Sequence, residues 1–142
     1  MYAEKMIRGI SDPSWVSDDG YASASLFQFK ESNRLEGFLE LSINWYDDEG
    51  ALEQIFNQRK KDGGIQFKGG AAILSKKSVN SINKIPQYIG TTHFDRDKLP
   101  DNRYHGNIMI SSNLHKMARL GISHYLAMHV EDIIAPKFKT DP

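Results

Sequence analysis

The feature that most constrains this chain is an alternation running from Leu35 to Trp45. Leu35, Leu39, Leu41, Ile43 and Trp45 stand at odd positions, and Glu36, Glu40, Ser42 and Asn44 at even ones. Period two marks a strand with one buried and one wet face. A slip of one residue would turn the whole apolar set to water, so the register is fixed. Phe38 departs from the pattern by standing on the wet side. A half-buried strand needs partner strands and a cover. The cover follows at once. Asp47, Asp48 and Glu49 place acid at a helix start, where the helix dipole favours it. Leu52, Ile55 and Phe56 form its apolar stripe, Arg59, Lys60 and Lys61 its basic end, and Gly63-Gly64 its stop. The spacing predicts a helix over about 48–61.

The rest of the chain reads as further short elements. Residues 1–10 form a first strand ending near Gly9, and Asp12-Pro13 and Asp19-Gly20 are turn pairs. Tyr21 to Lys30 is read as a strand, because Tyr21, Phe27 and Phe29 share a parity. Ile65 to Ser75 is β structure around Gly69-Gly70, either a hairpin or one bulged strand. From Lys76 to Arg103 the pattern gives a helical turn near Val79 and Ile82, then an extended piece through Tyr88 and Ile89. Tyr104 to Ile110 is a strand after the Pro100-Asp101-Asn102 turn. Ser111 or Ser112 caps a last helix over about 112–130, with Gly121 inside it. These elements form no regular βαβ repeat. The expected fold is a single α+β domain over residues 1–136, with a mostly antiparallel sheet and two main helices. Residues 137–142 read as a polar tail.

Composition narrows the function classes. There is no cysteine, which excludes thiol nucleophiles, disulfides and thiolate metal sites. Lys plus Arg is 18 and Asp plus Glu is 18, a balance unlike that of a dedicated nucleic-acid coat or polybasic membrane anchor. The start MYAEKMIRGI lacks the features of a secretory signal, and unbroken apolar runs are far short of the roughly 20 residues of a membrane helix. A soluble, cytoplasmic protein with no membrane partner and no cofactor is expected.

Five groups of residues carry candidate chemistry. His93, Asp95 and Asp97, with His105, offer two imidazoles and two carboxylates for a divalent metal; the plainer reading is a solvated polar loop. His105 and Asn107 project from one strand face, where His105 is a candidate general base or recognition group. Lys60, Lys61, Lys68, Lys76 and Lys77, around the Gly63–Gly70 segment, are candidate phosphate or nucleic-acid contacts, against a reading as ordinary helix-end and strand-edge lysines. Phe38 is the aromatic most open to a binding role. Arg119 and His124 stand at the Arg-four residues-His spacing of the HEPN ribonucleases. Those domains are all-helical, so a core-facing His124 on an amphipathic helix is the better reading.

One broader likeness runs through the chain. Arg8 lies in the first strand, followed by Asp19-Gly20, Phe27 and a Leu41-Ser42 strand. Gly69-Gly70-Ala71-Ala72 and His105-Gly106-Asn107-Ile108 complete the order. This resembles a group of small bacterial proteins of uncharacterised activity, over most of residues 6–110. The resemblance implies no biochemical role, but it marks Arg8, Ser42 and His105 as the polar positions to test. The leading expectation is a non-catalytic binding or accessory protein that contacts another macromolecule, a protein or a second copy of itself. The alternatives are a small hydrolase or nuclease using His105 with Arg8, His93 or Asp95, and a nucleic-acid-binding module using the Lys60–Lys77 group.

Overall fold

A computed structural model describes residues 4–137. The chain order is β1 (Lys5–Ile10), β2 (Lys30–Glu31), β3 (Phe38–Trp45), α1 (Glu49–Asn57), β4 (Gly70–Ser75), α2 (Lys76–Asn80), β5 (Thr92–Arg96), β6 (His105–Ser111), α3 (Lys116–Met128) and β7 (Asp132–Ile134). The strands form one sheet in the order β5-β6-β3-β1-β4-β7, and β2 also pairs with β3. All these pairings are antiparallel. The architecture is thus a single small α+β domain.

The alternation holds within β3, but Leu35 lies before the strand and is exposed, and Asn44, read as wet, is buried where it bonds the Ala51 carbonyl of α1. Leu39, Leu41, Ile43 and Trp45 are buried on one face, beneath Ile122 and Leu126 of α3 and Val79 of α2. On the opposite face α1 packs Leu52, Ile55 and Phe56 against Ile7 and Ile73. The helix covers only part of that face. Ser42 and His93 remain exposed beyond it, with His105 and Asp95 half-buried between.

Pairing around β3 leaves a gap. β6 runs along one edge from Phe38 to Asn44. On the other edge β1 pairs with Asn44 and Trp45, and β2 with Leu39 and Glu40. Leu41 to Ile43 have no strand partner there.

Several elements differ from the sequence reading. Tyr21 to Lys30 is not a strand. Ser23 accepts a bond from Ser25 N–H, and Ala24–Phe27 winds into a 3-10 turn that buries Leu26 and Phe27. Tyr88 ends a second such turn, Pro86–Tyr88. The strand of this region is instead β5, one step later. Both main helices are present but shorter. α1 stops at Asn57, and Arg59 bridges to Ile65 across a tight turn. α3 is capped by His115, whose Nδ1 accepts from Ala118 N–H, rather than by Ser111 or Ser112. β7 was not foreseen. The polar tail lies, apart from Lys137, outside the described residues.

Candidate functional site

The gap in the sheet is filled by Arg8. Its Nε donates to the Leu26 carbonyl at 3.1 Å, and its Nη1 to the Ser42 carbonyl at 2.9 Å. In an antiparallel ladder, alternate residues turn their backbone groups to the same edge. Ser42 therefore faces the side that β1 and β2 leave open, and the guanidinium supplies the donor that a strand would have given. Among the described residues no carboxylate pairs with Arg8. Burial alone pushes its guanidinium from 12.5 down to about 10. The group remains a cation at neutral pH, with N–H donors left over.

Arg8 lines a cleft bounded by β1, β3, the end of α1 and the turn before β6. Ser42, Asn44, Asn102 and His105 give it a polar wall, while Ile7, Ile55 and Phe67 give it an apolar one. Arg8 and Ser42 also line a second depression beside β2.

His105 is held in a defined state. Its Nδ1 lies 2.8 Å from the Asp97 carbonyl oxygen, which only accepts, so Nδ1 carries the hydrogen. Nε2 then presents its lone pair, and Ser42 Oγ lies 3.3 Å from it. The Asp97 carboxylate is 3.6 Å from Nδ1. Cross-strand pairing produces this alignment. Ser42 lies opposite Asn107 in the β3–β6 ladder, so His105 stands one pleat along on the same face. The Asp97 N–H donates to the His105 carbonyl, closing the end of the β5–β6 hairpin.

A second polar group steadies this face. Arg34 folds over it and pairs closely with Asp95, with Asp97 at 3.3 Å and Glu40 at 3.9 Å. Its hydrogen bond with Asp95 is the main cause that raises the Arg34 guanidinium above its usual value. Asn107 Nδ2 also donates to Asp95 at 3.1 Å. Asp95 is thereby occupied, and Asp97 is the acid that reaches His105.

The remaining candidates are scattered. His93 packs edge-on against Phe38, ring centroids 6.1 Å apart. Among the described residues no three His, Asp or Glu side chains are grouped to hold a metal ion. Lys68 precedes β4, and Lys76 and Lys77 follow it, so roughly 20 Å of extended chain separates them. Lys76 Nζ lies over the Trp45 ring at 5.9 Å, away from Lys60 and Lys61 in the turn after α1. His124 is exposed rather than core-facing, because Ile122 and Leu126 take the inner face of α3. Among the described residues no helix is long and apolar enough to cross a membrane.

Asp97, grouped in the sequence with His93 and Asp95 as a candidate metal ligand, instead serves His105 beside the cleft. The cleft also holds residues the sequence did not single out. Gln54 joins it from α1, and Gln58 from the extended residue just after that helix. No protein-family model, no curated protein and no solved structure matches this chain.

Proposed function

We propose that this is a small cytoplasmic hydrolase acting on an anionic ester in the Arg8 cleft. The carrying observation is the Ser42 Oγ, His105 Nε2 and Asp97 sequence of contacts beside a cation without a carboxylate. Ser42 is the nucleophile. As its oxygen attacks the ester centre, His105 Nε2 takes the hydroxyl proton. The imidazolium so formed is steadied by Asp97 through Nδ1. Arg8 holds the substrate's anionic group with its unused N–H donors. The ester bond then breaks, and His105 returns the proton to the leaving oxygen. A water, deprotonated by the same imidazole, attacks the ester on Ser42; as its bond to Oγ breaks, His105 passes that proton to Oγ and the acid product leaves. The Ser42–His105 separation is at the long end for such a bond, which is common in sites without substrate. Arg8, Ser42 and His105, the residues marked by the resemblance, are three of the four in this arrangement.

The test is covalent. A fluorophosphonate probe should label Ser42 in the wild-type protein, and His105→Ala should abolish labelling while leaving the circular dichroism spectrum unchanged. Absence of labelling together with absence of turnover on phenyl esters and phosphoesters would end this reading.

A second reading is favoured by the outer face of α3. Met117 and Met128 are 70% and 81% exposed, and Leu120 and His124 lie between them on the same side. Soluble helices normally reserve that side for polar residues. The occupant we infer is a second copy of the chain. Lys116 begins the helix and Glu131 and Asp132 follow its end, so two antiparallel copies would set base against acid.

A further inference from the structure

The cleft lining carries two chemistries. Arg8, Ser42 and His105 supply one. Ile7, Ile55 and Phe67, with the carboxamides of Gln54 and Gln58, supply the other. Gly9 makes room for the Phe67 ring: a Cβ at that position would fall within it.

The amides in the cleft divide into two pairs. Asn44 and Asn102 are spent on the fold. Asn102 Nδ2 donates to Asn44 Oδ1 at 2.9 Å, Asn44 Nδ2 donates to the Ala51 carbonyl at 3.0 Å, and Asn102 Oδ1 accepts from Tyr104 N–H at 3.1 Å. The side chains of Gln54 and Gln58 make no such bonds among the described residues, although both are half-buried. A carboxamide offers a donor and an acceptor side by side, the arrangement that reads the edge of a nucleobase. An aromatic ring beside it supplies a stacking surface. Arg8 adds to the same lining a cation that no carboxylate pairs with among the described residues.

We propose that the cleft binds a mononucleotide, with the base between Phe67 and the Gln54–Gln58 pair and the phosphate on Arg8. The proposal deepens the hydrolytic reading and rests on the same cleft, but it concerns binding alone. The apolar wall, the free amides and the cation are three separate requirements, and a nucleoside phosphate meets all three. Inorganic phosphate or a sugar phosphate meets only the last.

The experiment is calorimetric titration of the wild-type protein and of His105→Ala with the four nucleoside monophosphates, ribose 5-phosphate and inorganic phosphate. At least one nucleotide should bind about tenfold tighter than ribose 5-phosphate. Gln54→Ala and Gln58→Ala should each weaken that nucleotide about five- to tenfold and leave ribose 5-phosphate unchanged. Both glutamines are partly exposed, Gln54 on α1 and Gln58 just after it, and circular dichroism will verify that the variants fold. Equal affinity for ribose 5-phosphate and every nucleotide, or no nucleotide binding at all, would overturn the proposal. Ester turnover without nucleotide binding would sink it and leave the hydrolytic reading standing. Nucleotide binding by a protein whose Ser42 resists the fluorophosphonate would do the reverse.

Discussion

Arg8 holds a charge in a place where charge is costly, and among the described residues its hydrogen-bond partners are two carbonyl oxygens. Neutral acceptors offset only part of the desolvation of a guanidinium. A bound anion would supply the rest, so ligand binding and stability are linked through this one side chain. The wild-type melting temperature should therefore rise in phosphate or sulfate relative to chloride at equal ionic strength. Arg8→Met should lose that anion-specific gain. Its own stability should change by no more than about 2 kcal/mol, since relief of the buried charge opposes two carbonyls left without donors. Arg8→Lys should not restore the effect, because a single ammonium cannot span the Leu26 and Ser42 carbonyls as the planar fork does. Equal anion responses in wild type and Arg8→Met, measured by thermal denaturation, would remove Arg8 from the site. At this scale the sequence was partly legible. Arg8, Ser42 and His105 could be marked as polar positions on strands. Their meeting depends on where β1 leaves β3, which no local pattern encodes.

α1 is tied to the sheet by its first residues, and that tie sets a pH dependence. The N-cap Asp48 accepts from Tyr104 Oη at 2.6 Å, from Gly50 N–H at 2.8 Å and from Arg103 at 3.1 Å. The Tyr104 hydroxyl, then the Gly50 amide and the Arg103 charge, hold the carboxyl below its ordinary 3.8 against the opposing effect of desolvation. A carboxyl with a folded value below its unfolded one stabilises the fold above the unfolded value, and that stability is lost as pH falls through the folded one. Asp48→Ala should melt below wild type by a constant margin from pH 7 to about 5, and the margin should shrink below about pH 4. A margin independent of pH in thermal scans would show that the cap acts without its charge. A second element is held by a glycine. Trp45 Nε1 donates to the Asp95 carbonyl at 2.8 Å across Gly106, where a Cβ would collide with both the indole and that carbonyl. Gly106→Ala should cost about 2–4 kcal/mol in denaturant titration and carry Asp95 away from Arg34. A loss below 1 kcal/mol would mean the hairpin yields instead. The same elements explain what the sequence revealed. β3 and α1 were legible because each repeats its apolar residues over several periods. β5 offers one large apolar side chain, Phe94, and β7 has three residues, too few for a period to register. The shared parity of Tyr21, Phe27 and Phe29 was accidental, and the local Ser23 bond won over strand formation.

For the whole molecule, the two faces of the sheet are unequally covered. α2, α3 and the 3-10 turns close one face, while α1 closes only part of the other and leaves the cleft at its border. The apolar composition gave the size of the core but not this asymmetry, which follows from strand order. The outer side of α3 remains, with Met117, Leu120 and Met128 turned to water. Tyr21, 74% exposed, lines the groove beside Met128 and extends the apolar surface. A helix face that buries itself against its own copy must be self-complementary about a two-fold axis. Antiparallel pairing meets that condition, placing the Met117 end of one helix near the Met128 end of the other and Lys116 near Glu131 and Asp132. Glu131 is also bonded to Lys5 at 2.9 Å, so Asp132 is the freer acid of the pair. Sedimentation equilibrium from micromolar to millimolar protein should show a monomer–dimer equilibrium. Leu120→Glu should shift it to monomer without lowering the melting temperature of the monomer, since Leu120 is outside the core. Lys116→Glu should weaken the dimer, and mixing it with Asp132→Lys should recover association that neither variant shows alone. A wild-type chain that stays monomeric across the whole range would discard the two-fold contact and leave the cleft as the molecule's single proposed point of contact.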